Sequence, residues 1–318
     1  MARMKSIWTI GLALAWCTLG CGKAPREAPP PPPAPAIAPE TVSGARALDE
    51  VRALLALGPR DAGTPGAEKA AHHLRDRLQA LGVAAEIQEF ADAAPNGPTT
   101  FRNVLGRIPG QSDRILMFAS HYDTKVGIPG FVGANDSGSS TGLLLELARV
   151  LAPGAPHAME IRFAFFDGEE CVREYGPTDG FHGSRHLAET MAADGSLTNV
   201  AALILLDMVG DRDLTITIPR NGAPHLAALA FDAARAENAR AHFQLFPYTV
   251  GDDHAAFFER GVPAIDLIDF QYGSAPQKND YWHTPQDTLD KLAPESLEIV
   301  GRVAARMAAA LLAEAAGK

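Results

Sequence analysis

Beyond about residue 40, the chain alternates segments with helical spacing of apolar residues and short apolar runs rich in β-branched and aromatic residues. The predicted helices are residues 42–57, 67–81, 138–151, 184–193, 224–238, 253–260 and 294–315. The predicted strands are residues 83–90, 101–108, 114–119, 159–166, 200–206 and 264–268. This alternation predicts an α/β fold with a doubly wound, mostly parallel twisted sheet flanked by helices. Because no repeat or second composition shift interrupts it, we expect residues 41–318 to form a single domain.

The amino-terminal segment has the features of an export signal. Arg3 and Lys5 precede an apolar run over residues 7–20. That run has the length of a signal-peptide core and is short for a membrane span. We therefore interpret residues 1–20 as a signal peptide and expect the protein to be exported.

Residues 21–40 are expected to be a tether. The segment Thr18-Leu19-Gly20-Cys21 resembles the lipobox of bacterial lipoproteins, which implies a lipidated Cys21, with simple secretion and cleavage nearby as the alternative. Five consecutive prolines at residues 29–33 then favour an extended chain. We expect a periplasmic protein or an outer-membrane-anchored lipoprotein, which contacts the membrane only through this anchor.

Charge and cysteine content exclude some functions. The net charge of −10 argues against a nucleic-acid partner. Cys171 is the one of the three cysteines that lies within the expected domain, so no disulfide is expected there. Cys171 follows two Glu directly, and a thiolate ligand or nucleophile is therefore an alternative, although no Cys/His spacing supports it.

The hexapeptide FFDGEE, residues 165–170, brings three carboxylates to the end of a predicted strand. The carboxyl edge of the sheet is where open α/β proteins bind ligands. Glu169 and Glu170 point in different directions, so we expect one metal ligand and one general base, while Asp167 organises the turn. An acidic strand-to-loop turn without function is the alternative.

Other strand ends carry further candidate ligands. The predicted strands that end near residues 119 and 206 are followed by His121 with Asp123 and by Asp207. Asp136 lies in a loop, where Asp136 and Ser137 are expected at a helix N-cap, and His283 comes from a late loop. So many carboxylates in one pocket need a cation to offset their repulsion, and mixed imidazole and carboxylate ligands favour zinc. Capping carboxylates and surface histidines are the alternatives for each motif taken singly.

The ordered set HYDTK, GANDSG, FFDGEE, LLDMVG and WHT resembles the zinc aminopeptidase superfamily, which also contains the animal-type glutaminyl-peptide cyclotransferases. The resemblance covers nearly the whole mature chain and implies a single zinc-hydrolase-like domain. It implies that Asp136, Glu170 and His283 bind the zinc used by the cyclases, and that Glu169 is the general acid/base.

The same resemblance leaves two activities open. In two-zinc aminopeptidases, Asp136 bridges both metals, and His121 and Asp207 complete the second site. Residues 183–188, 252–268 and 281–303 look more like glutaminyl cyclases, including bacterial ones of the animal type, than like typical aminopeptidases. We therefore expect cyclisation of an N-terminal Gln to pyroglutamate with release of ammonia, one zinc, and peptides or proteins with N-terminal Gln as partners. An exported zinc aminopeptidase with two zincs is the alternative.

The cyclase resemblance assigns further residues to the site. Asp207 and Asp252 are expected to form an acid network with Glu169. Lys125 and Trp282 match the cyclase pattern, and Tyr175 stands where animal cyclases carry Trp, so these three are expected to bind substrate. A binding protein without turnover is a further alternative, but such relatives usually lack some of the ligands that are present here.

Overall fold

A computed structural model describes residues 37–317 of the chain. The predicted signal peptide, the lipidation of Cys21 and most of the predicted tether lie outside these residues. A 3₁₀ helix, Pro39–Thr41, opens the described part, with Pro39 buried and Ile37 packed against the core. The contacts of the domain therefore begin a few residues before position 41. None of the helices within residues 37–317 has the length and apolarity needed to span a membrane.

The helices and strands follow the predicted alternation. In chain order the helices are α1 (Gly44–Leu55), α2 (Pro65–Ala80), α3 (Ser140–Leu151), α4 (His182–Ala193), α5 (Pro224–Ala236), α6 (Asp253–Phe258) and α7 (Pro294–Ala316). The strands are β1 (Ala84–Ala94), β2 (Gly97–Ile108), β3 (Ile115–His121), β4 (Glu160–Phe166), β5 (Val200–Asp207), β6 (Ile216–Ile218), β7 (Phe243–Leu245) and β8 (Ala264–Ile268).

The strands form one eight-stranded sheet in the order β1-β2-β4-β3-β5-β8-β6-β7. Its centre is parallel, since β4, β3, β5 and β8 all run in the same direction. The β1-β2 hairpin extends one side in antiparallel register, and β6 lies antiparallel to β8 on the other. The expected mostly parallel sheet is therefore confirmed, with antiparallel additions at both sides.

Helices cover both faces of the central strands. Side chains alternate along a strand, so Leu116 and Phe118 of β3 face one core, while Met117 and Ala119 face the other. The larger core contains side chains of α1, α2, α3, α5 and α7, and the smaller one contains side chains of α4 and α6. Burial on both faces explains why the central strands are continuous apolar runs rather than alternating ones.

Two short strands were missed by the sequence prediction, and the N-cap predicted at Asp136 and Ser137 was wrong. The strands β6 and β7 have three residues each, which is too short for a periodic pattern to stand out. The helix expected from residue 138 begins at Ser140, and Ser139 rather than Asp136 or Ser137 is its N-cap residue. Asp136 lies in the preceding irregular turn, where its carboxylate contacts imidazoles instead of helix amides.

Candidate metal centre and active site

Three neighbouring parallel strands deliver the candidate ligands to one edge of the sheet. The strand β3 ends at His121, β5 ends at Asp207, and β4 leads into the DGEE turn. Because β3 lies between β4 and β5, His121 occupies the middle of this edge. The predicted convergence of strand ends is therefore observed.

The DGEE turn is held by glycine geometry and by Asp167. Gly168 has a φ of +71°, and a Cβ at this position would lie 2.5 Å from the Phe101 ring, so glycine is required there. The Asp167 Oδ2 atom accepts a hydrogen bond from the backbone N–H of Arg102 at 2.8 Å. Asp167 thus fastens the turn to β2, as its assigned role in the turn requires.

Asp123 positions both glutamates and one imidazole. Its carboxylate accepts hydrogen bonds from the backbone N–H groups of Glu169 at 3.2 Å and Glu170 at 3.1 Å. The His121 Nδ1 atom lies 3.3 Å from Asp123 Oδ1, which leaves Nε2 facing Asp136 and Asp207. Asp123 was a candidate in the HYDTK motif without an assigned role, and the structure places it behind the ligands.

Four side chains surround Asp136, and we call the five together the metal cluster: His121, Asp136, Glu170, Asp207 and His283. The His121 Nε2 atom lies 3.2 Å from Asp136 Oδ1 and 3.4 Å from Asp207 Oδ1. The His283 Nε2 atom lies 3.3 Å from Asp136 Oδ2 and 3.0 Å from Glu170 Oε1. Each imidazole therefore forms a three-residue group that could hold a metal ion, and Asp136 belongs to both groups.

The metal cluster fits a cation on its own chemistry. The buried His121 Nε2, Asp136 Oδ2 and Asp207 Oδ1 atoms have no hydrogen-bond partner. Burial acts to raise the pKa of Asp136, but the two imidazoles outweigh it and hold that pKa below its usual range. Burial also opposes the charged form of His283, yet Asp136 and Glu170 raise its pKa to about 9. The carboxylates thus favour positive charge between them, whether a proton or a metal ion.

Asp287 holds the Asp136 loop in place. Its carboxylate accepts hydrogen bonds from the backbone N–H groups of Asn135 at 2.7 Å and Asp136 at 3.1 Å, and from the Tyr272 hydroxyl at 2.8 Å. Asp287 follows His283 by four residues, but its role was not predicted from the sequence.

Arg60 was also missed, because its segment looks like an ordinary turn. The side chain is fully buried and donates hydrogen bonds to three backbone carbonyl oxygens: Tyr122 at 2.8 Å, Val132 at 3.1 Å and Gly133 at 3.1 Å. Burial lowers its pKa to about 10, against the field of Asp123 and Asp287. Arg60 therefore remains a cation at neutral pH and offsets part of the negative charge behind the site.

A small pocket opens on the metal cluster. Besides Asp136, Asp207 and His283, it is lined by Glu169, Tyr175, Met208, Val250, Gly251, Asp252, Ile268, Phe270 and Trp282. The Trp282 and His283 rings are stacked with centroids 4.0 Å apart. The Tyr175 hydroxyl lies 3.4 Å from Glu169 Oε2 and 3.2 Å from Glu170 Oε2. A larger cavity of about 390 Å³ beside β1, β2 and β4 lies away from these carboxylates, so chemistry rather than volume locates the site.

Glu169 lies between the metal cluster and a second buried group of acids. Burial raises the pKa of Glu169 well above its usual range; His121 opposes this, while Glu170 and Asp252 add to it. We call Asp252, His254 and Asp266 the acid cluster, and these side chains are also close enough to form a possible metal-binding group. Asp266 and His254 were not selected from the sequence, because a lone Asp within a buried strand gives no local signal.

Lys125 is placed behind the ligands rather than among the residues that line the pocket. Its ammonium donates hydrogen bonds to the Cys171 carbonyl oxygen and, at 2.8 Å, to Cys171 Sγ. It lies 3.6 Å from Glu170 Oε2. The substrate-binding role of Lys125 stays a prediction. Cys171 is buried, and the groups that could hold a metal within residues 37–317 do not include it.

Comparison with known proteins identifies the relatives of this chain. The model of peptidase family M28 matches residues 103–308. The glutaminyl-peptide cyclotransferase-like protein of Mus musculus is 32% identical over 277 residues, covering 77% of this chain and 70% of its own length. The crystal structure of an Acidobacteriales bacterium glutaminyl cyclase matches with a TM-score of 0.79 and 36% identity, covering 92% of this chain and 99% of that one.

A peptidase structure of lower identity shares the fold. The Zn-dependent exopeptidase from Parabacteroides distasonis matches with a TM-score of 0.73 and 26% identity, covering 83% of this chain and 97% of that one. The family match spans more than half of the chain, and the cyclase relatives cover most of it at higher identity. The chain therefore belongs to peptidase family M28 and, within it, to the group that contains the glutaminyl-peptide cyclotransferases.

Proposed function

We propose that this protein is a zinc-dependent glutaminyl-peptide cyclotransferase, which converts an N-terminal Gln of a peptide or protein into pyroglutamate and releases ammonia. The observation that carries this proposal is the position of Glu169. Its carboxylate lines the same small pocket as Trp282 and His283, next to a complete set of metal-ligand side chains. A cyclase needs a proton carrier at this place and an enclosed pocket for one side chain.

The ligand chemistry favours zinc. Asp136, Glu170 and His283 would hold the ion, because imidazole nitrogen and carboxylate oxygen are both zinc ligands and three protein ligands leave a position open for substrate. A zinc ion bound there supplies Lewis-acid stabilisation for the negative charge that develops on the γ-carbonyl oxygen of Gln.

Glu169 would carry the proton that cyclisation has to move. The α-amine of the substrate attacks the side-chain amide carbon, a new C–N bond forms, and the bond to the amide nitrogen breaks. The amine loses a proton, and the leaving nitrogen must gain one to depart as ammonia. A carboxylate whose pKa is raised by burial can accept the first proton and return it to the leaving group.

Asp207 and Asp252 would tune that proton transfer. Burial and then the neighbouring Asp266 and Asp207 raise the pKa of Asp252 well above its usual range. Carboxyl groups packed this closely cannot all ionise, so protons are shared among them at neutral pH. Trp282 and Tyr175 would hold the Gln side chain between their rings, so that amine and carbonyl meet.

An aminopeptidase is the second candidate, because the side chains for a second metal ion are also present. His121, Asp136 and Asp207 could hold a further ion, as peptide hydrolysis by a two-metal site requires. The fold shared with the Parabacteroides distasonis exopeptidase is consistent with this activity. The higher identity to the Acidobacteriales bacterium cyclase favours the first proposal.

Parallel assays on one preparation separate the two activities. The purified chain is incubated with Gln-naphthylamide and Leu-naphthylamide, and metal content is measured on the same sample. We expect pyroglutamyl-naphthylamide from the first compound, no free naphthylamine from the second, and close to one zinc per chain. Naphthylamine released from the Leu compound, with close to two zincs and no pyroglutamyl product, would replace the cyclase with an aminopeptidase.

We further propose that the protein is exported and is attached to a membrane through a lipidated Cys21. The support is the charged and apolar leader at residues 1–20 and the following Pro-rich segment. Expression of the full chain in a bacterial host with a labelled fatty acid tests this. Label should be incorporated into the wild type and be absent from Cys21→Ala, and equal labelling of both would refute lipidation at Cys21.

A further inference from the structure

The described chain exposes four large apolar side chains. They are Val132, Tyr175, Leu245 and Tyr248. Tyr175 lines the pocket, and Val132 follows Phe131, whose ring meets the His283 ring edge-on. Leu245 and Tyr248 are the most exposed, at 64% and 68%. Apolar side chains exposed singly are common, but a group of them beside a site indicates a binding surface.

A row of aromatic rings connects Tyr248 to the pocket. Trp282 and Phe270, which both line the pocket, have ring centroids 5.5 Å apart. The Phe270 ring lies 6.1 Å from that of Phe246, and the Phe246 ring lies 5.3 Å from that of Tyr248. We call Phe270, Phe246 and Tyr248 the aromatic ridge. It leads from residues that line the pocket to the exposed Tyr248 side chain.

The backbone of the ridge is fixed rather than free. Phe246 donates its N–H to the Ile218 carbonyl oxygen at 2.7 Å, and the Tyr248 carbonyl oxygen accepts from the Arg220 N–H at 3.0 Å. Two residues on, Val250 exchanges two hydrogen bonds with the Asn221 side chain, at 2.8 and 3.0 Å. Val250 itself lines the pocket. The ridge and the pocket wall are therefore parts of one anchored segment, which lowers the entropy cost of binding a ligand.

We propose that the aromatic ridge is a subsite for the residues that follow the N-terminal Gln of the substrate, and that it selects peptides with an aromatic or large aliphatic side chain at the second to fourth position. The proposal rests on the cyclase function proposed above and names the substrate class of the same site. A Gln side chain bound in the pocket leaves the following residues outside it, and the ridge is the aromatic surface that continues from the pocket wall to solvent.

The spacing of the ridge rings and their chemistry both suit an extended peptide substrate. An extended peptide advances about 3.3 Å per residue, so each ring-to-ring step along the ridge spans one to two peptide residues. Aromatic faces bind apolar and aromatic side chains without requiring a charged partner. The ridge is continuous with the pocket proposed to hold Gln, because Phe270 belongs to both.

Ammonia release from a matched peptide series tests the proposal. The substrates are Gln-amide, Gln-Ala-Ala-Ala-amide, and the same tetrapeptide with Phe or Asp placed at position two, three or four. We expect at least one Phe peptide to exceed the Ala peptide by about three- to tenfold in kcat/KM, a ratio typical of one aromatic contact. Asp at the same position should give no gain.

Variants assign that preference to the ridge. Tyr248→Ala should remove most of the Phe-to-Ala ratio, and Tyr248→Phe should keep it, because only the ring is needed. Phe246→Ala provides a second test nearer to the pocket. The matched control is Phe231→Ala on α5, whose half-buried ring contacts Arg240 instead, and it should leave the ratio unchanged.

Three results would overturn the inference. Conversion of Gln-amide to pyroglutamyl-amide without any Phe preference, or with a preference that survives both ridge variants, contradicts the subsite and leaves the cyclase function standing. A dimer that Tyr248→Ala dissociates in sedimentation, with unchanged peptide selectivity, assigns the surface to a second copy of the chain. Failure to release ammonia from Gln-amide refutes the proposed function and, with it, this inference.

Discussion

The metal cluster and the acid cluster contain the same types of side chain, yet their imidazoles have different partners. In the metal cluster, the His283 Nε2 atom lies within 3.3 Å of two carboxylates, Asp136 and Glu170. In the acid cluster, the His254 Nε2 atom lies 3.1 Å from the Asn221 carbonyl oxygen, and its Nδ1 atom stays 3.9 Å from Asp266. One imidazole therefore faces negative charge, and the other is bound mainly to a neutral group.

This difference sets the charge that each cluster favours. Carboxylates raise the pKa of His283 to about 9, whereas burial lowers the pKa of His254 to about 4. The metal cluster favours a cation, and the acid cluster keeps a neutral imidazole beside acids whose pKa values are raised. Residue type and burial alone therefore do not set the charge of a buried imidazole; the charge of the groups around it does.

Metal removal should have the largest effect on activity, and the zinc should be held by the metal cluster and not by the acid cluster. Treatment with a zinc chelator is expected to reduce ammonia release to background, and added zinc should restore it. His283→Gln should lower the zinc content of the purified protein, whereas the matched His254→Gln should leave it unchanged, as measured by elemental analysis. Equal zinc loss in both variants would mean that the two clusters do not differ as described.

Glu169→Gln should have the next largest effect, because the side chain keeps its shape but cannot accept a proton. Loss of a general acid/base lowers kcat by about 10²- to 10⁴-fold. Glu174→Gln, an exposed change on the same loop, is the matched control and should stay near wild-type activity. Both variants should retain zinc. Zinc lost with activity in Glu169→Gln would show that Glu169 is a ligand rather than a proton carrier.

The sequence predicted the metal cluster and missed two of the three residues of the acid cluster for a physical reason. His121, Asp207 and the DGEE pair lie at strand ends, where a local pattern shows both the strand and the residue that ends it. Asp266 lies within β8 opposite Leu205, and nothing near it in the chain marks the acid that it meets.

The same limit applies to the residues that position the site. Arg60 and Asp287 act through backbone groups of distant segments, at contacts that only the folded chain creates. Motif spacing therefore predicts which residues reach the edge of a sheet, but not which groups fix their orientation.

The neutral imidazole of the acid cluster should affect how the free energy of unfolding changes at acidic pH. The pKa of His254 is about 4 in the folded protein, against an ordinary value of 6.5. Between these two pH values the unfolded chain binds more protons than the folded one. The free energy of unfolding therefore falls as the pH falls from 6.5 to 4. His254→Gln removes this titration. Its free energy of unfolding, relative to wild type, should therefore rise by about 3 kcal/mol from pH 7 to pH 4, measured by urea unfolding.

A surface histidine provides the control for that experiment. His225 is exposed on α5, and His225→Gln should show little of this relative change between pH 7 and pH 4. If His254→Gln lost stability relative to wild type on acidification, His254 would be acting as a protonated partner of Asp266. The two clusters would then be alike.

Tyr175→Phe should have the smallest effect and tests how the metal cluster meets the pocket. The hydroxyl contacts Glu169 and Glu170, while the ring stacks on Phe181 with centroids 4.7 Å apart. Phe keeps the ring and its stacking, so only hydrogen bonds to carboxylates are lost. A hydrogen bond of this kind is worth about 1 to 2 kcal/mol, so kcat/KM for Gln-amide should fall by about five- to thirtyfold. An unchanged kcat/KM would show that Tyr175 serves the pocket through its ring alone.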